Sequence, residues 1–143
     1  MKRQKLLTVL AIATVWTGIA SAASLKSAAT IDVAKVCDVK ANGIDAVLKT
    51  AAEYNTEAKK LGVEFKRLGI TNSNYIQGTM DAAKAKQKEV TLTYKKKGKA
   101  KHQTLKTEYA AWRACHFAVR ALQQVNEAET AWRLAVPGDG FTF

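Results

Sequence analysis

Apolar side chains recur at every third or fourth position in three stretches of the chain. The first stretch begins at Ile44 and ends at Leu68, and Gly69 follows it as a candidate helix C-cap. This spacing places the apolar side chains on one helical face and predicts a helix over about residues 43–68. The segment at residues 30–41 either joins this helix or forms a separate short helix before it.

A second helix is predicted after Thr71-Asn72-Ser73-Asn74, a cluster of residues that favour helix N-caps. Its helical spacing ends near residues 92–94. Residues 90–94 alternate in polarity as a strand would, but no partner strand with matching alternation follows them. Residues 94–102 contain five lysines around Gly98 without an apolar period. We therefore expect a solvated connection there.

The third stretch has the longest apolar stripe and stops at Pro137-Gly138. Its predicted core positions are Leu105, Tyr109, Trp112, Cys115, Val119, Leu122, Val125, Ala128 and Trp132. Phe117 falls off this stripe and is a candidate for an exposed contact. Together the three stretches predict an all-α fold, a three-helix up-down-up bundle whose first and third helices run parallel. Residues 24–143 form a single domain in this prediction, with an irregular tail at 137–143.

The N-terminus has the pattern of a secretory signal peptide. Lys2, Arg3 and Lys5 precede an uncharged, largely apolar stretch of about 15 residues, and small residues at 20–23 follow it. A helix that spans a bilayer needs about 20 apolar residues. We therefore expect residues 1–23 to be removed and the mature protein, which has no transmembrane segment in this prediction, to be periplasmic or secreted.

Cys37 and Cys115 are the two cysteines of the chain. In an oxidising compartment an even number of cysteines is typical of disulfide pairing. The parallel first and third helices can bring the two residues together, so we predict one disulfide between them.

The net positive charge of the predicted mature chain lies in one segment. The chain carries 23 Lys and Arg against 12 Asp and Glu, and loss of the three leader cations leaves a net charge of +8. Nine lysines against Glu89 alone give residues 84–106 the same +8; they are Lys84, Lys86, Lys88, Lys95, Lys96, Lys97, Lys99, Lys101 and Lys106. Such a segment either only solubilises the protein or attracts an anionic partner.

An acidic protein or another anionic surface is the expected partner of these lysines. Specific nucleic-acid recognition is less favoured, because arginine is absent from the segment and Tyr94 is its one aromatic residue for stacking on a base. The oligomeric state is left open.

Arg113-Ala114-Cys115-His116, followed by Arg120, resembles the haem-attachment region of the cytochrome c-prime family. That family has a Cys-x-x-Cys-His element on the last helix of a small periplasmic bundle. Here Trp112 stands where the first cysteine of the element would be. The resemblance implies an alternative function as a haem-carrying bundle, with His116 as axial ligand and Cys115 as a single thioether anchor.

Complete catalytic and metal-binding patterns are absent from the sequence. His102 and His116, the two histidines, have no carboxylate at ligand spacing, and no Gly-flanked nucleophile or paired acids can be named. We therefore expect a non-catalytic protein without cofactor or metal that acts by binding. An immunity-like inhibitor and a chaperone-like adaptor both fit this profile.

Overall fold

The protein combines helices with two small antiparallel sheets. A computed structural model describes residues 24–135, with side chains as far as Ala131. The predicted signal peptide, residues 1–23, and the predicted irregular tail, residues 137–143, lie outside the described residues. The fold class is α+β. The prediction of an all-α three-helix bundle is therefore wrong.

Helices make up most of the described residues. They are α1 Leu25–Ala29, α2 Val33–Val36, α3 Val39–Asn42, α4 Ile44–Lys60, α5 Asn72–Lys84 and α6 Thr107–Ala135. The strands are β1 Lys66–Arg67, β2 Ile70–Thr71, β3 Glu89–Lys96 and β4 Lys99–Lys106. β1 pairs with β2 and β3 pairs with β4, so each sheet is a single hairpin.

The segment before α4 forms separate short helices and does not extend α4. Asp32 and Asp38 accept hydrogen bonds from backbone N–H groups of the first turns of α2 and α3, and so act as N-caps. Gly43 separates α3 from α4 with φ of 82°, a conformation outside the helical region. The break at this glycine explains why the apolar periodicity does not continue from α3 into α4.

α4 ends eight residues earlier than its apolar stripe predicts, at Lys60 rather than Leu68. Gly62 has φ of 71°, and the Val63 N–H donates to the Ala58 carbonyl at 2.8 Å, which is a Schellman-type termination. Gly69, predicted as the C-cap, lies instead in the turn between β1 and β2.

The β3–β4 hairpin, residues 89–106, replaces the predicted end of the second helix and the solvated connection. Its register runs from Glu89 opposite Lys106 to Lys96 opposite Lys99. Lys97 and Gly98 both have positive φ, 50° and 76°, as a two-residue type I′ turn requires. β4 is thus the partner of the strand that the alternation at 90–94 indicates. Its sequence is mostly polar, so it shows no matching alternation.

The three long helices pack side by side, with α5 antiparallel to the other two. Ile44 at the start of α4 and Thr107 at the start of α6 line one cleft together with Ala83 near the end of α5. At the opposite end, Phe65, which follows α4, stacks on Phe117 of α6. β3 packs on α5, where a Cβ added to Gly78 would lie 2.9 Å from a methyl group of Leu92.

The core face of α6 is richer in alanine than its apolar stripe predicts. Its buried apolar residues are Ala110, Ala111, Ala114, Cys115, Ala118, Val119 and Leu122. Tyr109 and Trp112, which were predicted to lie in the core, are 47% and 37% exposed. The small side chains allow α4 and α5 to approach α6 closely, and the large aromatic rings are left at the surface.

The predicted disulfide between Cys37 and Cys115 is confirmed. Both residues are completely buried, their Cα atoms are 5.6 Å apart, and 78 positions separate them in sequence. Cys37 is the C-cap of α2, so the bond fastens the N-terminal short helices to the first third of α6.

Candidate binding groove

A groove of about 740 Å³ lies between the β1–β2 hairpin and the exposed side of α6. We call it the aromatic–arginine groove, because most of its lining residues are aromatic or arginine. Its lining residues are Val63, Phe65, Arg67, Tyr109, Trp112, Arg113, His116, Phe117, Arg120, Ala121, Gln124, Val125 and Ala128. Among the described residues, three arginines and no carboxylate line the groove.

Arg113 is the buried charge of this groove. The residue is 7% exposed, and its guanidinium carbon lies 5.3 Å from the ring centre of Tyr75 and 5.1 Å from that of Phe117. Such cation–π contacts stabilise a guanidinium away from bulk water. The ion pairs of the described residues involve other cations, namely Lys35, Lys60 and Arg120. Arg113 therefore has no acidic partner within the described part of the chain.

Phe117 joins the two sides of the groove. Its ring stacks on that of Phe65 with 3.6 Å between centres and meets the ring of Tyr75 edge-on at 6.1 Å. Phe117, a candidate for an exposed contact from sequence, is half-buried. Because Phe65 belongs to the segment after α4, this stack fastens the β1–β2 hairpin to α6.

Tyr109, Trp112 and His116 form a ladder of rings along α6. Tyr109 stacks on Trp112 at 5.5 Å, and Trp112 lies 4.2 Å from the His116 ring. Burial and the nearby charge of Arg120 lower the pKa of His116 below its ordinary value, which favours the neutral form of the imidazole. Its Nε2 atom is enclosed and has no hydrogen-bond partner among the described residues.

A polar network fixes the loop that carries Val63 and Phe65. Glu64 accepts hydrogen bonds from the Ser73 N–H at 2.8 Å, from the Ser73 hydroxyl, and from the Asn55 amide at 3.0 Å. The buried Asn72 side chain donates to Asn55 and to the Ala114 carbonyl, at 3.1 and 2.9 Å. The network therefore links α4, α5 and α6 directly beneath the groove.

The nine predicted partner-binding lysines are all exposed, but they lie at the two ends of the β3–β4 hairpin. The tip lysines are Lys95, Lys96, Lys97, Lys99 and Lys101, and the base lysines are Lys84, Lys86, Lys88 and Lys106. Eight residue pairs separate the ends, about 23 Å at the usual rise of a strand. The structure thus divides what the sequence presents as one cluster.

The tip lysines are adjacent to the aromatic–arginine groove. A Cβ on Gly69, in the β1–β2 turn, would lie 3.9 Å from the Lys95 carbonyl, and Arg67 of the same hairpin lines the groove. Tyr75 of α5 also links the β3–β4 hairpin to the groove. Its hydroxyl donates to the Gln103 side chain of β4 at 3.0 Å, and its ring contacts the Arg113 guanidinium. The tip of the β3–β4 hairpin and the groove are consequently neighbouring basic surfaces.

The predicted alternative of a haem-carrying bundle depends on Cys115 and His116. Cys115 Sγ is bonded to Cys37 Sγ, so it has no thiol to form a thioether with a haem vinyl group. In residues 24–135, no group of three or more His, Cys, Asp and Glu side chains is arranged to hold a metal ion.

The sequence interpretation named several groove residues but did not recognise the groove. The apolar stripe predicts Tyr109 and Trp112 in the core, and the resemblance to a haem-attachment region is the only feature that draws attention to Arg113, His116 and Arg120. A signal is present: rings and cations occur at 109, 112, 113, 116 and 120, while alanines occupy 110, 111, 114 and 118. Separating small from large apolar residues would have shifted the predicted core face.

Comparisons of this chain with protein families, with characterised proteins and with solved structures found no match. None of the helices within residues 24–135 is long and apolar enough to cross a bilayer.

Proposed function

We propose that this chain is an exported, non-catalytic binding protein that recognises an acidic protein through the tip lysines. The observation that carries the proposal is the placement of five exposed lysines at the end of an ordered hairpin. None of these lysines takes part in the ion pairs formed by the described residues. Their charge is therefore available to a partner.

Export is supported by two independent features. The N-terminal pattern is that of a signal peptide, and the completely buried Cys37–Cys115 bond is consistent with an oxidising compartment outside the cytoplasm. A periplasmic or secreted protein of this kind would act as an inhibitor or as an adaptor of its acidic partner.

Concentrated charge of one sign affects association more than fold stability. A basic surface raises the rate of encounter with an acidic one, and exposed charges are screened over about 8 Å at physiological ionic strength. Because the tip lysines are exposed and lie beyond the core, their replacement is expected to weaken binding and leave the fold intact.

The first prediction concerns a variant with Lys95, Lys96, Lys97 and Lys99 replaced by Glu. We expect it to lose most binding to an acidic partner at low salt, with its melting temperature nearly unchanged. The measurement is affinity for poly-L-glutamate, and for proteins captured from a periplasmic extract, at low and at high salt. The difference from the parent should shrink as salt rises.

A matched control changes the net charge by the same amount elsewhere. Lys26, Lys35, Lys40 and Lys49 are exposed and lie on the N-terminal helices and α4. Their replacement by Glu should weaken binding much less than the tip variant does. Equal loss in both variants would show that only net charge matters, and unchanged binding of the tip variant would make the lysines a solubilising surface.

A further inference from the structure

We propose that the aromatic–arginine groove binds an extended segment of the acidic partner that carries an aromatic side chain next to a carboxylate. This inference rests on the proposed function for the identity of the partner. The chemistry of the ligand follows from the groove alone. It gives the α6 residues of the groove a role in binding that is separate from that of the tip lysines.

The carboxylate is inferred from the charge of the groove. Arg67, Arg113 and Arg120 line it, and no acidic side chain does so within the part of the chain that the structure describes. Arg120 also lies 3.8 Å from Glu127, which is not a lining residue. Arg113 is buried and forms no ion pair or hydrogen bond with the described residues. Its guanidinium nitrogens are not completely enclosed, and Arg113 is one of the residues that line the groove. The exposed part of the guanidinium is therefore the part that a ligand in the groove would contact.

A guanidinium in this position is suited to a carboxylate. Its planar array of donors matches the two oxygens of a carboxylate, and the hydrogen bonds strengthen when water is excluded. The rings of Tyr75 and Phe117 hold the guanidinium in place before the ligand arrives. Little conformational freedom of Arg113 is then lost on binding.

The aromatic side chain is inferred from the exposed rings. Tyr109 and Trp112 stack on each other and remain about half and one-third exposed, although large aromatic residues are normally covered. An aromatic ring of a partner can stack on Trp112 or pack against its edge, and both geometries are favourable. Aromatic and arginine side chains are also the residue types that dominate binding energy at interfaces.

The length of the groove favours an extended segment over a compact ligand. Its lining residues on α6 run from Tyr109 to Ala128, about 28 Å at 1.5 Å per residue. About eight residues of extended chain span that distance. The groove also adjoins the tip lysines through Arg67 and Gly69, so a longer acidic segment can contact both surfaces.

The test uses short peptides and the full mature protein with Trp132→Phe, so that Trp112 reports binding by its fluorescence. The probes are acetyl-Glu-Phe-Glu-Phe-Glu-amide, its neutral counterpart with Gln in place of Glu, and an acidic peptide with Ala in place of Phe. We expect the first peptide to bind most tightly. Equal binding of the neutral peptide, or of the peptide without Phe, would overturn the proposal.

Two arginine variants locate the carboxylate. Arg113→Met should weaken binding of the Glu-Phe peptide about tenfold or more and change binding of the neutral peptide little. Because Arg113 is buried and its replacement could unfold the chain, the exposed Arg67→Gln provides a second variant, for which we expect a several-fold loss. Unchanged affinity in a folded Arg113 variant, or in Arg67→Gln if the former does not fold, would contradict the assignment.

Two further chains separate this proposal from its alternatives. The tip-lysine variant should still bind the short peptide. Loss of binding to a whole acidic partner in this variant therefore tests the tip lysines, and loss of peptide binding in the arginine variants tests the groove. A chain that ends at Ala135 tests whether the protein's own last residues, which include Phe141 and Phe143, occupy the groove. Unchanged peptide affinity in this chain supports a partner segment, and a several-fold gain overturns it in favour of the tail.

Discussion

At the scale of the residue, Glu64 shows how a surface feature depends on a polar contact beneath it. Burial alone would raise the pKa of this carboxyl, but hydrogen bonds from Ser73 and Asn55 and the charge of Lys59 outweigh burial and lower the pKa below 4.5. The carboxylate is held by α4 and α5 residues while its neighbours Val63 and Phe65 line the groove. Glu64 therefore positions groove residues without lining the groove.

Glu64→Gln should lower stability at neutral pH by about 1 to 2 kcal/mol, because a neutral amide accepts weaker hydrogen bonds than a carboxylate. A carboxyl whose pKa is lowered by folding stabilises the folded state above its ordinary pKa and loses that contribution as pH falls. The stability difference between parent and variant should thus shrink as pH falls below 4.5. Urea unfolding at several pH values measures it.

Glu57→Gln is the matched control for this effect. Glu57 pairs with the largely exposed Lys60 at 3.2 Å, and such a surface pair contributes at most about 1 kcal/mol. A pH dependence in Glu57→Gln as large as that in Glu64→Gln would contradict the role given to the buried network.

Residue-level predictions from sequence succeeded for the cysteines and failed for the aromatics. Two cysteines admit one pairing, so the disulfide depends on few assumptions. The large apolar area of Tyr109 and Trp112, together with their helical spacing, makes them core candidates from sequence. The face that contains Ala110, Ala111 and Ala114 is buried instead, because small side chains let helices approach closely. Apolar periodicity predicts that a helix has a core face. Which side-chain size that face accepts depends on how closely the neighbouring helices approach, and the periodicity does not give that distance.

At the scale of the element, the helices were located from sequence more accurately than the hairpins. α6 begins within two residues of its predicted start, but both hairpins are missing from the prediction. β4 has a mostly exposed, polar sequence, so its own pattern does not predict a strand. It is held by backbone pairing with β3, and one face of β3 packs on α5. In each hairpin turn a residue other than asparagine, Leu68 or Lys97, precedes the glycine, and both turn residues have positive φ. The sequence therefore lacks the Asn-Gly pair that is typical of such turns.

Gly78 is a point of close approach between α5 and β3, where an added Cβ would lie 2.9 Å from a methyl group of Leu92 and 3.6 Å from one of Val90. Gly78→Leu should therefore destabilise the fold by about 1 to 3 kcal/mol, although leucine favours helix more than glycine does, because the added side chain meets Leu92 and Val90. Thermal or urea unfolding measures the loss.

Gln77→Leu provides the comparison, since residue 77 lies on the exposed face of the same helix. It should change stability by less than about 0.5 kcal/mol. A Gly78→Leu variant as stable as Gln77→Leu would mean that β3 does not rest on α5 as described.

At the scale of the whole molecule, the Cys37–Cys115 bond closes a covalent loop that contains α4, α5 and both hairpins. In the chain-entropy description, a loop of this length restricts the unfolded state and contributes roughly 4.5 kcal/mol, which is an upper value. For a domain of this size that is a large share of the total stability.

Replacing both cysteines by serine should lower the free energy of unfolding by about 2 to 5 kcal/mol. Guanidinium unfolding of the double variant and of the oxidised parent measures the loss. The parent unfolded in reductant should match the double variant, because both then lack the same cross-link. A loss below about 1 kcal/mol in both would show that the short N-terminal helices hold to α6 without it.

The same bond also decides what a single peptide-bond cleavage does to the molecule. The tip lysines are exposed and would be accessible to proteases that cut after basic residues, and they lie within the loop closed by Cys37 and Cys115. A cut there yields two chains that remain covalently joined, with the segment that carries Cys37 still attached to α6. Such a nicked molecule would run as one species without reductant and as two with it.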